Sequence, residues 1–588
     1  MKFSASLAAL ASASAVAAIG FHDMKTPQLE APDLVITKLE NEDLFARAAM
    51  AKRQHVRGTN NVFDARAVHQ DAARLAADAS SNGGAVQATF QQILNHSDPS
   101  QGTFSQRYWY NTDYWTGPGA PVVVFTPGES AANRYTGYLT NRTITGQFAK
   151  AIGGAIVMIE HRYWGESSPY AELTTKNLQH LTLANNIADI TYFARNVQLG
   201  FDNSTRANNT DGGSSGLQNA PHAPWVFSGG SYAGALSAWI ESVDPGTLWA
   251  YHASSAVVEA IDDFWQYFDP VRQGLPQNCS ADVQLVVEHV DNILLHGSAA
   301  DKQALKASFG LTGVEHDDDF ASVLENGPWN WQEHDFDSGY SNVYQFCDYV
   351  ENAVVGVFNT TCKAGATTPS AKGVGLKKAL NGYTKWVKDV LVPGYCEGYD
   401  SSYVGTNNVD CFNTYDATSP FYTDISLDNA VDRQWVWLLC NEPFGFWQDG
   451  APEGTPTVVS RLVTAEYWQR QCPLYFPDED GYTFGSSPTG GKTVADTNAY
   501  TGGWFHNTTR LIWANGEFDP WKDATVSSDF RPGGALVSTP EAPVNVIPGG
   551  IHCSDLIMAN AQQNAGVAAV VADEIAVIKA WVEEFYTK

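Results

Sequence analysis

Three short runs constrain this chain more than any others: Pro121-Val122-Val123-Val124-Phe125-Thr126, Gly154 to Ile159, and Pro224 to Phe227. None alternates apolar with polar residues, which is the pattern of strands buried on both faces. Each stops abruptly in a polar, glycine-bearing segment: Pro127-Gly128-Glu129-Ser130, Glu160-His161-Arg162-Tyr163-Trp164-Gly165-Glu166-Ser167, and Ser228-Gly229-Gly230-Ser231. Helical segments are read at Leu183 to Val197 and from Ser231 to about Ser242. Strands alternating with helices predict an α/β protein with a parallel sheet covered on both sides. Tyr and Trp crowd Gln101 to Trp115, which suits opening strands, and His252 to Ala260 resembles one more strand after the helix at 231.

The texture then changes. Residues 261–500 are rich in aromatics, cysteines and helical patterns (Val283 to Leu295, Lys302 to Phe309, Leu376 to Val392) and poor in buried-strand runs. Sheet texture returns at Arg510-Leu511-Ile512-Trp513-Ala514 and Val544-Asn545-Val546-Ile547. A final helix, Val567 to Tyr586, carries apolar residues at three-to-four spacing. The expected organisation is a signal peptide at 1–18 and a propeptide or leader at 19–85. A first part of the sheet domain follows at 86–260, an inserted helical cap at 261–500, and the rest of the sheet domain at 501–588. Lys52-Arg53 offers a dibasic processing site, and the Ala-rich stretch Asp64 to Ala77 is the helical alternative to a propeptide.

Lys2 followed by the apolar, small-residue run to Gly20 has the form of a secretory signal. No later stretch is apolar for long enough to span a bilayer, so no membrane association is expected. Seven sequons (Asn95, Asn141, Asn203, Asn208, Asn278, Asn359, Asn507) fit an extracellular location. Eight cysteines, all at or after residue 279, suggest disulfides within the later half. They form no C-x-x-C pair and no Cys/His cluster, so no metal site is expected. A net charge of −29 excludes nucleic acid and anionic membranes as partners. It also suits work in acid, where protonation of carboxylates relieves their repulsion. Oligomeric state is not readable.

The chemistry sits at the ends of the strands. Val226-Phe227-Ser228-Gly229-Gly230-Ser231-Tyr232-Ala233-Gly234 has the layout of a nucleophile elbow, with Ala233 where G-x-S-x-G has its second glycine. Asp519 follows the strand at 510–514, and His552 follows the strand at 544–547. Ser231, Asp519, His552 is the Ser…Asp…His order of α/β-hydrolases, each residue placed at the carboxyl edge of one sheet. A serine hydroxyl needs an imidazole to take its proton, and the imidazole needs a carboxylate to fix its tautomer. Asp519-Pro520 read alone is a common turn. Asp555 is the rival acid, read as a cap of the following helix, and His161 is the rival base, read as structural. The oxyanion donors expected are the N–H of Tyr232 and one from Gly128 or Glu129.

These motifs, with Gly102 to Trp109, Trp329 to Gln332 and Asn441-Glu442-Pro443-Phe444, resemble the serine peptidase family of lysosomal Pro-X carboxypeptidase, dipeptidyl peptidase II and fungal acid prolyl endopeptidase. The likeness is greatest to the last and runs nearly end to end from about residue 86. It implies an α/β-hydrolase fold with a helical cap, and no cofactor. It also implies cleavage on the carboxyl side of proline in peptides and proteins, often in acid, with endopeptidase action favoured over exopeptidase and a secreted esterase as the remote rival. By resemblance Ser231 is the nucleophile, Asp519 the orienting acid and His552 the base. Trp521 lines the proline pocket with Phe444 and Phe446, Trp447 is read as cap core, and Glu129 and Glu442 either bind a substrate terminus or bond within the cap.

Overall fold

The central strands pack because their side chains divide between two hydrophobic clusters. Val122 and Val124 enter one cluster, and Val123 and Phe125 the other. Val157 and Ile159 likewise part from Ile156 and Met158. Successive side chains of a strand point to opposite faces, so the unbroken apolar runs reflect a sheet covered on both sides.

The computed structural model describes residues 84–210, 212–351 and 369–588. The signal and leader readings, the Lys52-Arg53 pair, the Asp64 to Ala77 segment, the Asn359 sequon and Cys362 lie outside the described residues, save for the last two leader positions. The described residues belong to one compact unit.

The sheet has eight strands: β1 Val86–Ile93, β2 Thr103–Asn111, β3 Val122–Phe125, β4 Ala155–Ile159, β5 Trp225–Gly230, β6 Ala250–Ser254, β7 Leu511–Gly516 and β8 Val544–Ile547. Their spatial order is β1-β2-β4-β3-β5-β6-β7-β8. The β1–β2 hairpin and the β2–β4 pair are antiparallel; every later pairing is parallel. This is the α/β-hydrolase fold. β6 ends at Ser254, so the strand read to Ala260 is shorter than expected. Helices Ile144–Ile152 and Ala565–Phe585 bury apolar residues in the same cluster as Val123 and Phe125. Helices Leu183–Asn196 and Ser231–Val243 do so on the opposite face.

The Glu160-His161-Arg162 segment braces this sheet. The Glu160 carboxylate accepts from Arg107 Nε and Nη2 (both 2.7 Å), from Ser167 Oγ (2.6 Å) and from the Ala132 N–H (2.9 Å). Arg162, fully buried, grips Asp189 with Nε at 2.6 Å and Nη2 at 2.5 Å. A buried guanidinium is tolerable only with such fork-to-fork pairing.

Among the described residues between β6 and β7 the chain is mainly helical and carries three disulfides: Cys279–Cys347, Cys396–Cys411 and Cys440–Cys472. Cys553 is a free, buried thiol, so the even cysteine count does not mean complete pairing. A two-stranded parallel ribbon, Ile261–Asp263 with Gly445–Trp447, joins this region to the end of β6. Among the described residues no helix is long and apolar enough to cross a membrane.

Candidate active site

The serine is displayed by a strained turn. Ser231 has φ +58°, a conformation uncommon for a residue with a Cβ. It directly follows β5 and opens helix Ser231–Val243. The neighbouring glycines permit close packing. A Cβ on Gly229 would lie 2.1 Å from the Ala233 carbonyl oxygen, and one on Gly234 2.5 Å from that of Ser254. Gly234, not residue 233, is the place where helix and sheet touch, which is why alanine suffices at 233.

β7 and β8 deliver the other two groups. Phe518 N–H donates to Gly550 O at 2.8 Å and Glu517 N–H to Ile547 O at 3.1 Å, so the two loops run side by side. His552 Nδ1 lies 2.9 Å from Asp519 Oδ1, and the Trp521 N–H donates to the same oxygen at 2.9 Å. Asp519 is fully buried and His552 nearly so. Among the described residues His552 Nε2 has no hydrogen-bond partner. The His552 loop also touches the elbow: a Cβ on Gly230 would lie 2.9 Å from Cys553 Sγ. Burial opposes charge on His552, but Cys553 and the Asp519 carboxylate outweigh it, so the imidazole is held well above its ordinary value.

Tyr232 is fully buried and its phenol is pinned by Asn186 Nδ2 (2.8 Å) and His161 Nε2 (3.1 Å). The rival base is therefore a brace for the residue after the serine, and burial pushes it down to about 4. The Tyr232 N–H falls in the first helical turn, where no earlier carbonyl is in reach. Gly128 (φ +70°) comes within van der Waals range of this turn: a Cβ there would lie 3.5 Å from Tyr232 Cδ1. Its own N–H, however, donates to Thr126 Oγ1 at 3.2 Å.

Aromatic rings close the site on the side of the acid. Trp521, 4 % exposed, has Phe264, Tyr267 and Phe446 at centroid distances of 5.6, 5.3 and 5.3 Å, and the His552 ring at 6.3 Å. Its indole donates to Gln332 Oε1 at 2.9 Å, which also accepts from Tyr267 Oη at 2.7 Å. Phe444 packs between Phe446 (6.1 Å) and Tyr232 (6.0 Å). Trp447 hydrogen-bonds Asp262 in the adjoining ribbon instead.

Burial pushes Glu129 up to about 7 although His552 acts against it, and burial and Glu129 together push Asp432 up to about 8. Asp432 Oδ1 accepts from Trp164 Nε1 at 3.1 Å. Glu442 accepts from Asn441 at 2.7 Å and has Lys492 Nζ at 3.7 Å, so it is bonded within the helical region. Asp555 is not a helix cap: the residue before helix Met558–Gln563 is Ile557, and Asp555 instead faces His252 at 3.1 Å.

The structure thus brings Asp519, His552, Trp521 and Phe446 together and sets Ser231, Tyr232 and Gly128 at the adjoining strand end. Sequence reading did not single out Phe264, Tyr267 or Asp432. None carries a local signature, because aromatic residues are abundant throughout the helical region. Gln332 ended one recognised motif without an assigned role.

The family model for serine carboxypeptidase S28 matches residues 91–573. Serine protease vicPa of Bipolaris victoriae is 40 % identical over 501 residues, covering 85 % of this chain and 89 % of that protein. A probable extracellular serine carboxypeptidase of Arthroderma benhamiae is 32 % identical over 464 residues, covering 76 % and 59 %. The human thymus-specific serine protease is 26 % identical over 479 residues, covering 79 % and 80 %. Among solved structures, a proline iminopeptidase of Mycobacterium smegmatis aligns over 84 % of this chain and 99 % of its own, with 11 % identity and a TM-score of 0.31.

Proposed function

This chain belongs to the serine carboxypeptidase S28 family and is a serine-type peptidase; from that premise we propose that it is a secreted enzyme hydrolysing peptide bonds on the carboxyl side of proline. Ser231 attacks the proline carbonyl while His552 Nε2 takes the hydroxyl proton, and Asp519 steadies the imidazolium that forms. The oxyanion is met by the N–H of Tyr232 and by one from the Gly128-Glu129 turn, where the Gly128 N–H now donates to Thr126 Oγ1 and the Glu129 N–H to its own carboxylate. His552 then protonates the leaving amine, and water hydrolyses the acyl-enzyme. Residues 261–500 act as a cap that closes the site, and Glu129 faces the substrate.

The observation that carries this reading is the Trp521 cage abutting His552. Flat, apolar walls with one polar group, Gln332, suit a pyrrolidine ring, which has no N–H to satisfy. Endopeptidase action is the favoured form. The exopeptidase alternative draws support from Glu129 and Asp432, two acids that no Lys or Arg among the described residues offsets and that suit a substrate's amino terminus. The secretory reading is supported by the sequons: none of the six in the described residues has a buried asparagine. Working in acid is suggested by the net charge of −29, but the upward shift of His552 opposes it, because a protonated imidazole cannot take the serine proton. The test is digestion of a peptide blocked at both ends with one internal proline, across pH 3–9. Cleavage after proline supports the proposal. Cleavage only of free-ended peptides selects the exopeptidase form, and turnover of acyl esters alone refutes both.

A further inference from the structure

The loop carrying His552 is held from behind by ionisable groups that the proposed chemistry leaves unused. Asp555, three residues after His552, is 1 % exposed. Its Oδ1 accepts from Ser254 Oγ at 2.5 Å, and its Oδ2 lies 3.1 Å from His252 Nε2. Glu574, from the C-terminal helix, places Oε1 3.5 Å from the same nitrogen. Both His252 and Glu574 are fully buried. Glu574 interrupts an otherwise apolar helix face of Val567, Val571, Ile578 and Trp581. His252 Nδ1 meets Ser228 Oγ at 2.9 Å, on β5 three residues before Ser231. Next along the chain, Ser255 Oγ accepts the Cys553 N–H at 2.9 Å. The end of β6 therefore touches the elbow strand on one side and the base-bearing loop on the other.

The charges balance only in one way. Burial opposes charge on His252, but Glu574 and Asp555 overcome it and push it up to about 10. Burial, then Asp555, pushes Glu574 up to about 7. In acid His252 is an imidazolium and Glu574 a neutral acid. Above neutrality Glu574 adds a second charge to the cluster. Asp573 on its own helix adds a like charge, while helix Ile144–Ile152 presents the Phe148 ring to His252.

We propose that His252, Asp555 and Glu574 form a buried ion triad that sets the His552 loop against the nucleophile elbow, making them positioning residues for the reaction; this rests on the serine-nucleophile reading above. A misplacement of the base by about 1 Å is worth about a hundredfold in rate. The test uses the full-length protein and its D555N and E574Q variants. D555N, which keeps the side-chain shape, is expected to lower kcat about ten- to a hundredfold with KM changed less than about twofold. Its rate of inactivation by a fluorophosphonate should fall in parallel. E574Q cannot gain the second charge, so its ratio of kcat at pH 8 to kcat at pH 5 should exceed that of the natural protein. A folded D555N with natural kcat and labelling rate overturns the proposal. If D555N does not fold, an E574Q pH profile superimposable on the natural one overturns it. The three ligand atoms lie within 4.8 Å of one another, so one equivalent of metal in the purified protein would also overturn it. A natural protein that no fluorophosphonate labels defeats the underlying reading instead, a distinguishable failure.

Discussion

Replacing Asp519 by Asn tests the electrostatics of the site with little change of shape. Asp519 Oδ1 accepts two hydrogen bonds, from His552 Nδ1 and from the Trp521 N–H, both at 2.9 Å, whereas Oδ2 has no partner among the described residues. An asparagine must therefore place its carbonyl oxygen at Oδ1 and its NH2 at Oδ2. Position and tautomer are retained, and the negative charge is lost. With charge centres about 4 Å apart, an imidazolium and a carboxylate attract by about 4 kcal/mol at an effective dielectric of about 20. The imidazolium forms as the hydroxyl proton is transferred, so most of that energy is lost from the transition state. At about 1.36 kcal/mol per tenfold, kcat should fall about a thousandfold. KM should change little, because the proline cage is untouched. Removing the carboxylate also withdraws a cause of the raised His552 value, so the acid limb of the residual activity moves to lower pH. The assay is kcat against pH on the doubly blocked proline peptide, normalised to titrated active sites. A variant keeping more than a tenth of kcat, or an acid limb moving upward, would refute the reasoning.

Trp521→Ala should cut kcat/KM on proline substrates about a hundredfold and weaken the preference for proline, as read from product termini by mass spectrometry; opening the cage at a 4 % exposed tryptophan should also cost about 3–5 kcal/mol of stability in a denaturant titration. Asp449 and Glu351, pushed up to about 9 and about 7 chiefly by burial, hold more protons folded than unfolded; the stability they contribute is full below about pH 4 and drains as pH rises through those values, so the melting temperature should be higher at pH 5 than at pH 8.5. Preventing the Cys279–Cys347 bridge, which closes a 68-residue separation, should remove about 4 kcal/mol, measured as the midpoint shift of C279A/C347A.

Much of the fold was legible because doubly buried strands write themselves as unbroken apolar runs. β3, β4, β5 and β7 carry that signature, and the turns after β5, β7 and β8 carry Ser231, Asp519 and His552. Boundaries were less legible: β6 stops six residues early, where Ser254 and Ser255 turn to hold the His552 loop. Asp555 looked like a cap because local spacing suggests local bonds. Its partner stands 303 positions away in sequence, on a strand whose histidine reads as ordinary core. The free thiol of Cys553 was likewise hidden, since pairing depends on which sulfurs the packed helices bring within reach.

By itself, then, the sequence determined the sheet, the chain order of serine, acid and histidine, and the presence of a long helical insertion, all of which depend on local patterning. The tertiary structure alone decided what surrounds those groups. Phe264, Tyr267, Gln332 and Phe446 reach Trp521 from segments up to 257 residues away, and Asp555 and Glu574 both meet His252 from more than 300 residues along the chain. Short-range periodicity records which face of an element is buried, but not what it is buried against; that is fixed only when distant faces share one core.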